Sequence, residues 1–221
     1  MAKKKAQRKK TKRKKTVSPE DTLTPVYVTQ YEITDEPIQE AAYRHLPEAV
    51  KKRLENLYQV AQRQPQKAIP ELIKLQKKYP RVPQIYNFLA VAYSYAGEKE
   101  KADQITQENI RQNPNYLFAR INQAQILLAK EAYDQIPEVF EHQYDLQMLY
   151  PKRSKFHISE VANFMGIMGL YFVRINQRET AEKYNAILQD IASDFPIAKA
   201  LNRELNPGLI KRVMRRLLGE Q

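Results

Sequence analysis

The sequence predicts an all-α protein built from repeated helix hairpins, and three observations lead to this fold class. Hydrophobic residues make up 43% of the 221-residue chain, enough for a core, whereas only 5 residues are glycine. Apolar residues recur at helical spacing through residues 47–196. Ala68 and Pro80 recur 34 residues later as Ala102 and Pro114, which indicates an array of similar units.

Segment 83–114 is the clearest unit, and it predicts two helices joined by a tight turn at Gly97. The apolar face of its first helix consists of Tyr86, Leu89, Ala90 and Tyr93. The second helix carries Ala102 and is expected to end before Pro114. This order of an aromatic residue, a Leu–small pair, a Tyr, an Ala and a closing Pro resembles the tetratricopeptide repeat.

The resemblance implies a right-handed superhelical array of about four helix pairs over residues 47–196. Thr106 and Asn109 depart from the repeat pattern, which usually has a large aromatic residue and an Ala at these two positions. In the third unit Ile136 falls at the position of Ala102, and Phe140 supplies the usual large aromatic residue. We expect the second helix that carries them to begin near Pro137 and to be longer than usual. In the fourth unit Gly169 lies inside an apolar helix, which predicts the close approach of a neighbouring helix.

The same resemblance implies a concave groove, lined by the first helices, that holds an extended peptide or a partner helix. The residues expected to face this groove are Gln84, Asn87, Val91, Ser94, Tyr95, Phe118, Ile121, Gln125, Leu128, Asn163, Leu170 and Arg174. Asn87 is the expected polar contact, because an amide can both donate and accept hydrogen bonds. Phe118 and Leu128 are expected to form an anchor pocket. We therefore predict a non-catalytic adaptor with a protein or peptide partner.

Residues 1–16 form a basic arm of different composition. Its ten positive residues are Lys3, Lys4, Lys5, Arg8, Lys9, Lys10, Lys12, Arg13, Lys14 and Lys15, and it has no acidic residue. The rest of the chain is nearly neutral, with 27 basic and 25 acidic residues. Repelling charges without an apolar stripe predict a disordered arm. One interpretation is a solubilising tail. The alternative function is that of a factor whose arm binds RNA or DNA while the array recruits a protein.

Residues 17–46 are predicted to be an extended linker, because Pro19, Pro25 and Pro37 forbid a long helix. Within it, residues 26–33 form an extended, partly apolar strip, which would have no sheet to join in a helical protein. Two interpretations remain open: the strip packs loosely on the first helices, or it occupies the protein's own groove. Residues 197–221 are expected to cap the array with a basic amphipathic helix, which could alternatively lie on nucleic acid or on a membrane surface.

The sequence carries no motif that predicts catalysis, a cofactor or a metal site. It has no Cys, no Gly-rich phosphate loop and no nucleophile elbow. His45, His142 and His157 stand apart from one another, without the spacing of metal ligands. The apolar run 161–173 is too short to cross a bilayer, so we expect a cytoplasmic protein, or a nuclear one in a eukaryote. The oligomeric state stays open.

Overall fold

The structure is a computed structural model that describes residues 31–207, and this part of the chain is mostly helical. Its helices are α1 (Ala41–Arg44), α2 (Glu48–Arg63), α3 (Pro65–Lys78), α4 (Pro83–Tyr95), α5 (Lys99–Gln112), α6 (Leu117–Ala129), α7 (Ile136–Val139), α8 (Leu146–Leu149), α9 (Ile158–Arg174), α10 (Arg178–Ile191) and α11 (Pro196–Leu205). The strands are β1 (Glu32–Thr34) and β2 (Lys155–His157). The predicted basic arm, residues 17–30 of the predicted linker and the C-terminal residues 208–221 lie outside the described residues.

Prolines determine where several of these helices end. Helices α2, α3, α5, α8 and α11 are each followed by one residue and then by a proline. The intervening residues are Gln64, Tyr79, Asn113, Tyr150 and Asn206, with φ between −141° and −120° and ψ between 61° and 69°. A proline disfavours helical backbone in the residue before it, so each helix must stop there. The predicted end before Pro114 is confirmed, and α3 ends in the same way before Pro80.

Helices α4, α6 and α9 end in the same left-handed turn. The residues in the left-handed conformation are Gly97, Glu131 and Asn176, at φ of 78°, 58° and 60°. In each turn the next backbone N–H donates to the carbonyl five residues earlier, at 2.8–3.0 Å. This is the Schellman arrangement that closes many helices. Because the first two turns are 34 residues apart, the repeat period read from the sequence is also present in the backbone.

Substitutions at Gly97 and Glu131 should change the free energy of unfolding in opposite directions. Gly97→Ala should lower the free energy of unfolding by about 1 kcal/mol, because a Cβ strains left-handed backbone. The added methyl group itself meets no atom within 4 Å. Glu131→Gly should raise the free energy of unfolding by up to about 1 kcal/mol, since it relieves the same strain. Urea denaturation measures both changes, and a Gly97→Ala variant as stable as the parent would contradict this account of the turns.

The long helices pack in chain order. Helix α2 packs against α3 and α4, α4 packs against α5, and α5 packs against α6. Helix α6 then packs against α9, which in turn contacts α10 and α11. The buried side chains form two hydrophobic cores, one within residues 43–102 and the other within residues 117–205. The boundary between the cores therefore falls where α5 meets α6.

Two buried polar residues of α5 lie close to this boundary. Thr106 donates through Oγ1 to the carbonyl of Ala102 at 2.9 Å, and Asn109 donates through Nδ2 to the carbonyl of Pro83 at 3.1 Å. Their polar atoms are thus satisfied, as burial requires. Of the two departures from the repeat pattern, Asn109 has a structural role, because its bond ties α5 to the first residue of α4.

The prediction of a long second helix in the third unit is wrong. In its place the chain forms a 3-10 turn, the one-turn helix α7, a loop and the one-turn helix α8. Glu141 and His142 follow α7 at φ of 54° and 55°, which no α-helix can contain. The Asp145 carboxylate caps α8 by accepting two backbone N–H groups of its first turn. Ile136 and Phe140 are nevertheless fully buried, so the apolar spacing identified core residues without fixing the helix length.

Residues 31–46, here called the strap, cross the protein along one edge. Strand β1 pairs in parallel with β2, which immediately precedes α9, so the expectation that an extended strip finds no sheet is wrong. Farther along, Glu40 shares a small cleft with Tyr116 and Pro83, which lie at the starts of α6 and α4. The strap therefore passes the N-terminal ends of α9, α6 and α4 in turn, and α1 leads it into α2.

Helix α11 lies directly on two glycines of α9. A Cβ added to Gly166 would come within 2.2 Å of Ile197 Cγ1, and one added to Gly169 within 2.3 Å of Leu201 Cδ2. The predicted close approach at Gly169 is confirmed. The helix responsible, α11, lies almost entirely within residues 197–221, the segment expected to cap the array, and residues 208–221 of that segment lie outside the described residues.

Candidate functional site

A cleft of about 510 Å³ opens between α4, α5 and α6. It is lined by the C-terminal half of α4, the N-terminal half of α5 and the C-terminal part of α6. Small side chains leave this space open: Ala90, Ala102 and Ala129 line it from the three helices. Thr106 also lines it, at the position where the repeat pattern has a large aromatic residue. The missing ring therefore accounts for part of the cleft.

One wall of the cleft is apolar. Val91 of α4 and Ile126 of α6 are half-buried, so part of each side chain is available to a ligand. Tyr95, in the last turn of α4, is 62% exposed, the most exposed large hydrophobic residue in the described chain. An exposed tyrosine beside a cleft offers a flat apolar surface with a polar tip.

The polar lining consists of amides and of balanced charges. Asn122 and Gln125 of α6 present side-chain amides, which can donate to and accept from a peptide backbone. Lys130 Nζ lies 2.5 Å from Asp103 Oδ2, so this ion pair connects α6 to α5 at one side of the cleft. Lys99 and Glu100 supply one further charge of each sign. The charges of the lining therefore cancel.

The structure brings together four of the expected groove residues in this cleft, namely Val91, Ser94, Tyr95 and Gln125. Asn87, the expected polar contact, is not among the lining residues. Its Oδ1 accepts a hydrogen bond from Asn122 Nδ2 at 2.6 Å. Because Asn122 does line the cleft, Asn87 acts on the cleft by orienting the neighbouring amide.

Four other expected groove residues belong to the second core. Ile121 is only 1% exposed, so its side chain is unavailable to a ligand. Phe118, Leu128 and Leu170 are half-buried and pack against the same core. Phe118 also contacts Tyr116, with ring centroids 5.8 Å apart. The expected anchor pocket at Phe118 and Leu128 does not adjoin the cleft.

The last three expected residues are polar and lie apart from the cleft. Asn163 donates to the carbonyl of Ser159 at 2.7 Å, and Arg174 pairs with Glu204 at 3.2 Å. Gln84 is half-buried, and its Oε1 has no hydrogen-bond partner within residues 31–207. The predicted groove is therefore not one continuous surface, and only its central part forms a cleft.

Sequence reasoning missed the contribution of α5 to the cleft. The family resemblance directed attention to first helices, whereas Thr106 and Asp103 belong to a second helix. A signal was available, because a Thr in place of a large ring, beside the small residues Ala90 and Ala102, leaves volume unfilled.

The strap lies at the opposite ends of α4 and α6 from the cleft. None of the residues lining the cleft belongs to residues 31–46. The strap instead packs Tyr31 edge-on against Phe156, with ring centroids 5.0 Å apart. Burial, reinforced by the charge of Asp145, raises the pKa of Tyr31 to about 12. Residues 31–33 of the strip are thus held outside the cleft. Residues 26–30 of the strip are not among the described residues.

His157 and Glu160 hold the start of α9. Nδ1 of His157 accepts from the Ser159 N–H at 3.1 Å, and the Glu160 carboxylate accepts from the His157 N–H at 3.0 Å. Together they form a capping box. With Nδ1 accepting, Nε2 carries the hydrogen and donates to the Asp35 carbonyl of the strap at 3.1 Å. Burial raises the pKa of the nearby Glu40 carboxyl.

Within residues 31–207, no three His, Asp or Glu side chains gather as metal ligands would. No helix in the same part of the chain combines the length and apolar character needed to cross a membrane. Comparisons with protein-family models, with curated proteins and with solved structures give no match for this chain.

Proposed function

We propose that the chain is a tetratricopeptide-like, right-handed helical array that binds a peptide of a partner protein and performs no catalysis. Support for the repeat comes from the hairpins that pack in chain order and from their shared turns 34 residues apart. Further support comes from the prolines that close successive helices. The single observation that carries the binding proposal is the cleft between α4, α5 and α6.

The lining of the cleft favours a short extended segment with one apolar anchor. A cleft of about 510 Å³ falls in the size range of pockets that hold small ligands, so a few residues of a peptide fit it. Val91, Ile126 and Tyr95 would bury an apolar side chain of the ligand. Asn122 and Gln125 would bond the ligand's backbone. Because the lining charges cancel, a segment without net charge near its anchor suits the cleft best.

A displayed library of random peptides tests this proposal. We expect the full chain to enrich sequences with an apolar residue at a fixed position. Ala129→Trp should abolish their binding, because the new ring would project into the cleft from the end of α6 and block the ligand. Tyr95→Ala should weaken the same peptides roughly tenfold, as expected when an aromatic contact is removed. Titration of individual labelled peptides measures both effects.

Two matched variants serve as controls. Ala186→Trp adds the same ring to an exposed alanine of α10, and Tyr58→Ala removes another exposed tyrosine, which does not line the cleft. Both should bind the peptides as the parent does. Enriched peptides that bind equally well to Ala129→Trp would exclude this cleft as the site. A library that yields no enriched sequence would contradict the proposal.

A further inference from the structure

The first helix hairpin differs in charge from the rest of the described chain. Residues 47–81, which contain α2 and α3, hold nine basic residues: Lys51, Lys52, Arg53, Arg63, Lys67, Lys74, Lys77, Lys78 and Arg81. They hold only three acidic residues, Glu48, Glu55 and Glu71. Residues 82–207 hold 13 basic and 15 acidic residues. The positive charge of the described chain is thus concentrated on one hairpin.

Most of these cations lack an ion-pair partner. Lys51 pairs with Glu48, and Arg53 pairs with Glu71. The remaining seven, Lys52, Arg63, Lys67, Lys74, Lys77, Lys78 and Arg81, are exposed, and none forms an ion pair within residues 31–207. Elsewhere in the described chain many exposed cations do pair, as Arg178 does with Glu182 at 2.8 Å. Unpaired like charges crowded on two helices repel one another, and a polyanion would relieve that repulsion.

Several of these side chains share one face of the hairpin. On α3, Lys67, Lys74 and Lys78 follow one another at intervals of seven and four residues, which places them on one side of the helix. Arg63 and Lys67, from the two helices, line a common cleft of about 410 Å³. Every residue that lines it belongs to α2, α3 or the residue between them, so the cleft faces away from α4.

The same cleft is also lined by amides and by the Arg53–Glu71 ion pair. Asn56, Gln59 and Gln64 line it beside Arg63 and Lys67. Cations contact phosphates regardless of sequence, whereas amides can bond the edges of bases and the ribose hydroxyl. The unstacked bases of a single strand are accessible on all their edges, whereas the deep, narrow major groove of an RNA duplex excludes side chains. The 2′-hydroxyl of RNA adds a donor and acceptor that DNA lacks.

We propose that this face of α2 and α3 binds single-stranded RNA, with Arg63, Lys67 and Lys74 on its phosphates and the amides on bases or ribose. The first hairpin of an array needs a polar outer surface, but mixed charges would serve that need equally well. The excess positive charge of the hairpin therefore favours a polyanionic ligand. The ten basic residues of the arm carry the same sign, so a test must separate their contribution from that of this face. The RNA face is separate from the peptide cleft.

The test measures binding of a labelled single-stranded RNA of mixed sequence to the full chain by fluorescence anisotropy, over a range of salt concentrations. Changing Arg63, Lys67 and Lys74 together to Gln should weaken binding roughly tenfold at low salt. The slope of log Kd against log salt should fall by about 2, since each lost phosphate contact in a single strand contributes about 0.7. All three side chains are exposed, so the thermal midpoint of the variant should match that of the parent.

A second triple variant separates this face from the general charge of the protein. Lys152→Gln, Lys199→Gln and Arg203→Gln remove three exposed charges elsewhere and leave the arm intact. The Kd of this variant should stay within about twofold of that of the parent, and its salt slope should be unchanged. Equal effects of the two triple variants, or no effect of the first, would overturn the proposal and leave the arm as the binding element.

The choice of ligand is tested with the parent chain. We expect RNA to bind more tightly than DNA of the same sequence and than the same RNA in a duplex. Equal or tighter binding of the DNA strand or of the duplex would overturn the assignment to single-stranded RNA. A polyglutamate peptide of matched charge that binds as tightly would overturn it in favour of an acidic protein partner.

Discussion

Gly166→Ala should lower the free energy of unfolding by about 2–3 kcal/mol, at the upper end of the usual cost of overpacking. The new Cβ would lie 2.2 Å from Ile197 Cγ1, so α11 must move away from α9. Isoleucine is branched at Cβ and cannot swing this atom aside without changing χ1. The thermal midpoint, measured by circular dichroism, should fall by roughly 5–10 °C.

The effect should depend on the residue opposite the glycine. In an Ile197→Ala background the space for the new methyl group exists, so adding Gly166→Ala should then cost little. In that background the better helix propensity of alanine, about 1 kcal/mol over glycine, favours the substitution. A double-mutant cycle measures this coupling. Equal costs of Gly166→Ala with and without Ile197 would show that α11 does not rest on this glycine.

Glu160→Ala should lower the free energy of unfolding by about 2–4 kcal/mol, because it leaves a partly buried arginine without its partner. The Glu160 side chain is 9% exposed and that of Arg153 is 26% exposed, which places the expected cost near the lower end for buried pairs. Arg153 donates to both carboxylate oxygens, at 3.1 and 2.7 Å. The same substitution removes the carboxylate half of the capping box at His157.

The loss of stability caused by Glu160→Ala should extend to the strap. The Arg153 guanidinium lies 4.2 Å from the centroid of the Phe156 ring, which in turn packs on Tyr31. Hydrogen exchange of the Glu32 amide, which donates to the Ser154 carbonyl at 2.8 Å, should therefore become faster. The control is Glu182→Ala in the exposed pair with Arg178, where we expect a change within about 0.5 kcal/mol. A Glu160→Ala variant that unfolds like this control would contradict the buried pair.

The helices were predicted well where neighbouring residues determine their bounds. Segment 83–114 gave both helices, the turn at Gly97 and the end before Pro114, because helical spacing, a left-handed glycine and a proline act on neighbouring residues. In the third unit the same signals were insufficient. The apolar spacing at Ile136 and Phe140 is satisfied by a single turn, so it identifies buried residues without fixing how far the helix continues.

Features made by residues distant in sequence were not predictable in this way. The β1–β2 pair has three residues in each strand, and nothing near Ile33 indicates that its partner is Phe156. The cleft depends on the relative placement of three helices, so the groove prediction found its α4 side and missed Asp103 and Thr106 of α5. Burial of Ile121 likewise reflects the packing of α6 on α9, which helix periodicity alone does not specify.

The strap should affect the order in which the packed helices fold and unfold. The bond between His157 and Asp35 spans 122 residues of chain, and closing so long a loop costs about 4 kcal/mol of conformational entropy. We therefore expect the hairpins, whose contacts are local, to assemble first and the strap to dock late. Once docked, it couples regions that would otherwise interact only through intermediate helices. A linear array can fray from its ends, whereas here opening at α9 also frees the segment that leads into α2.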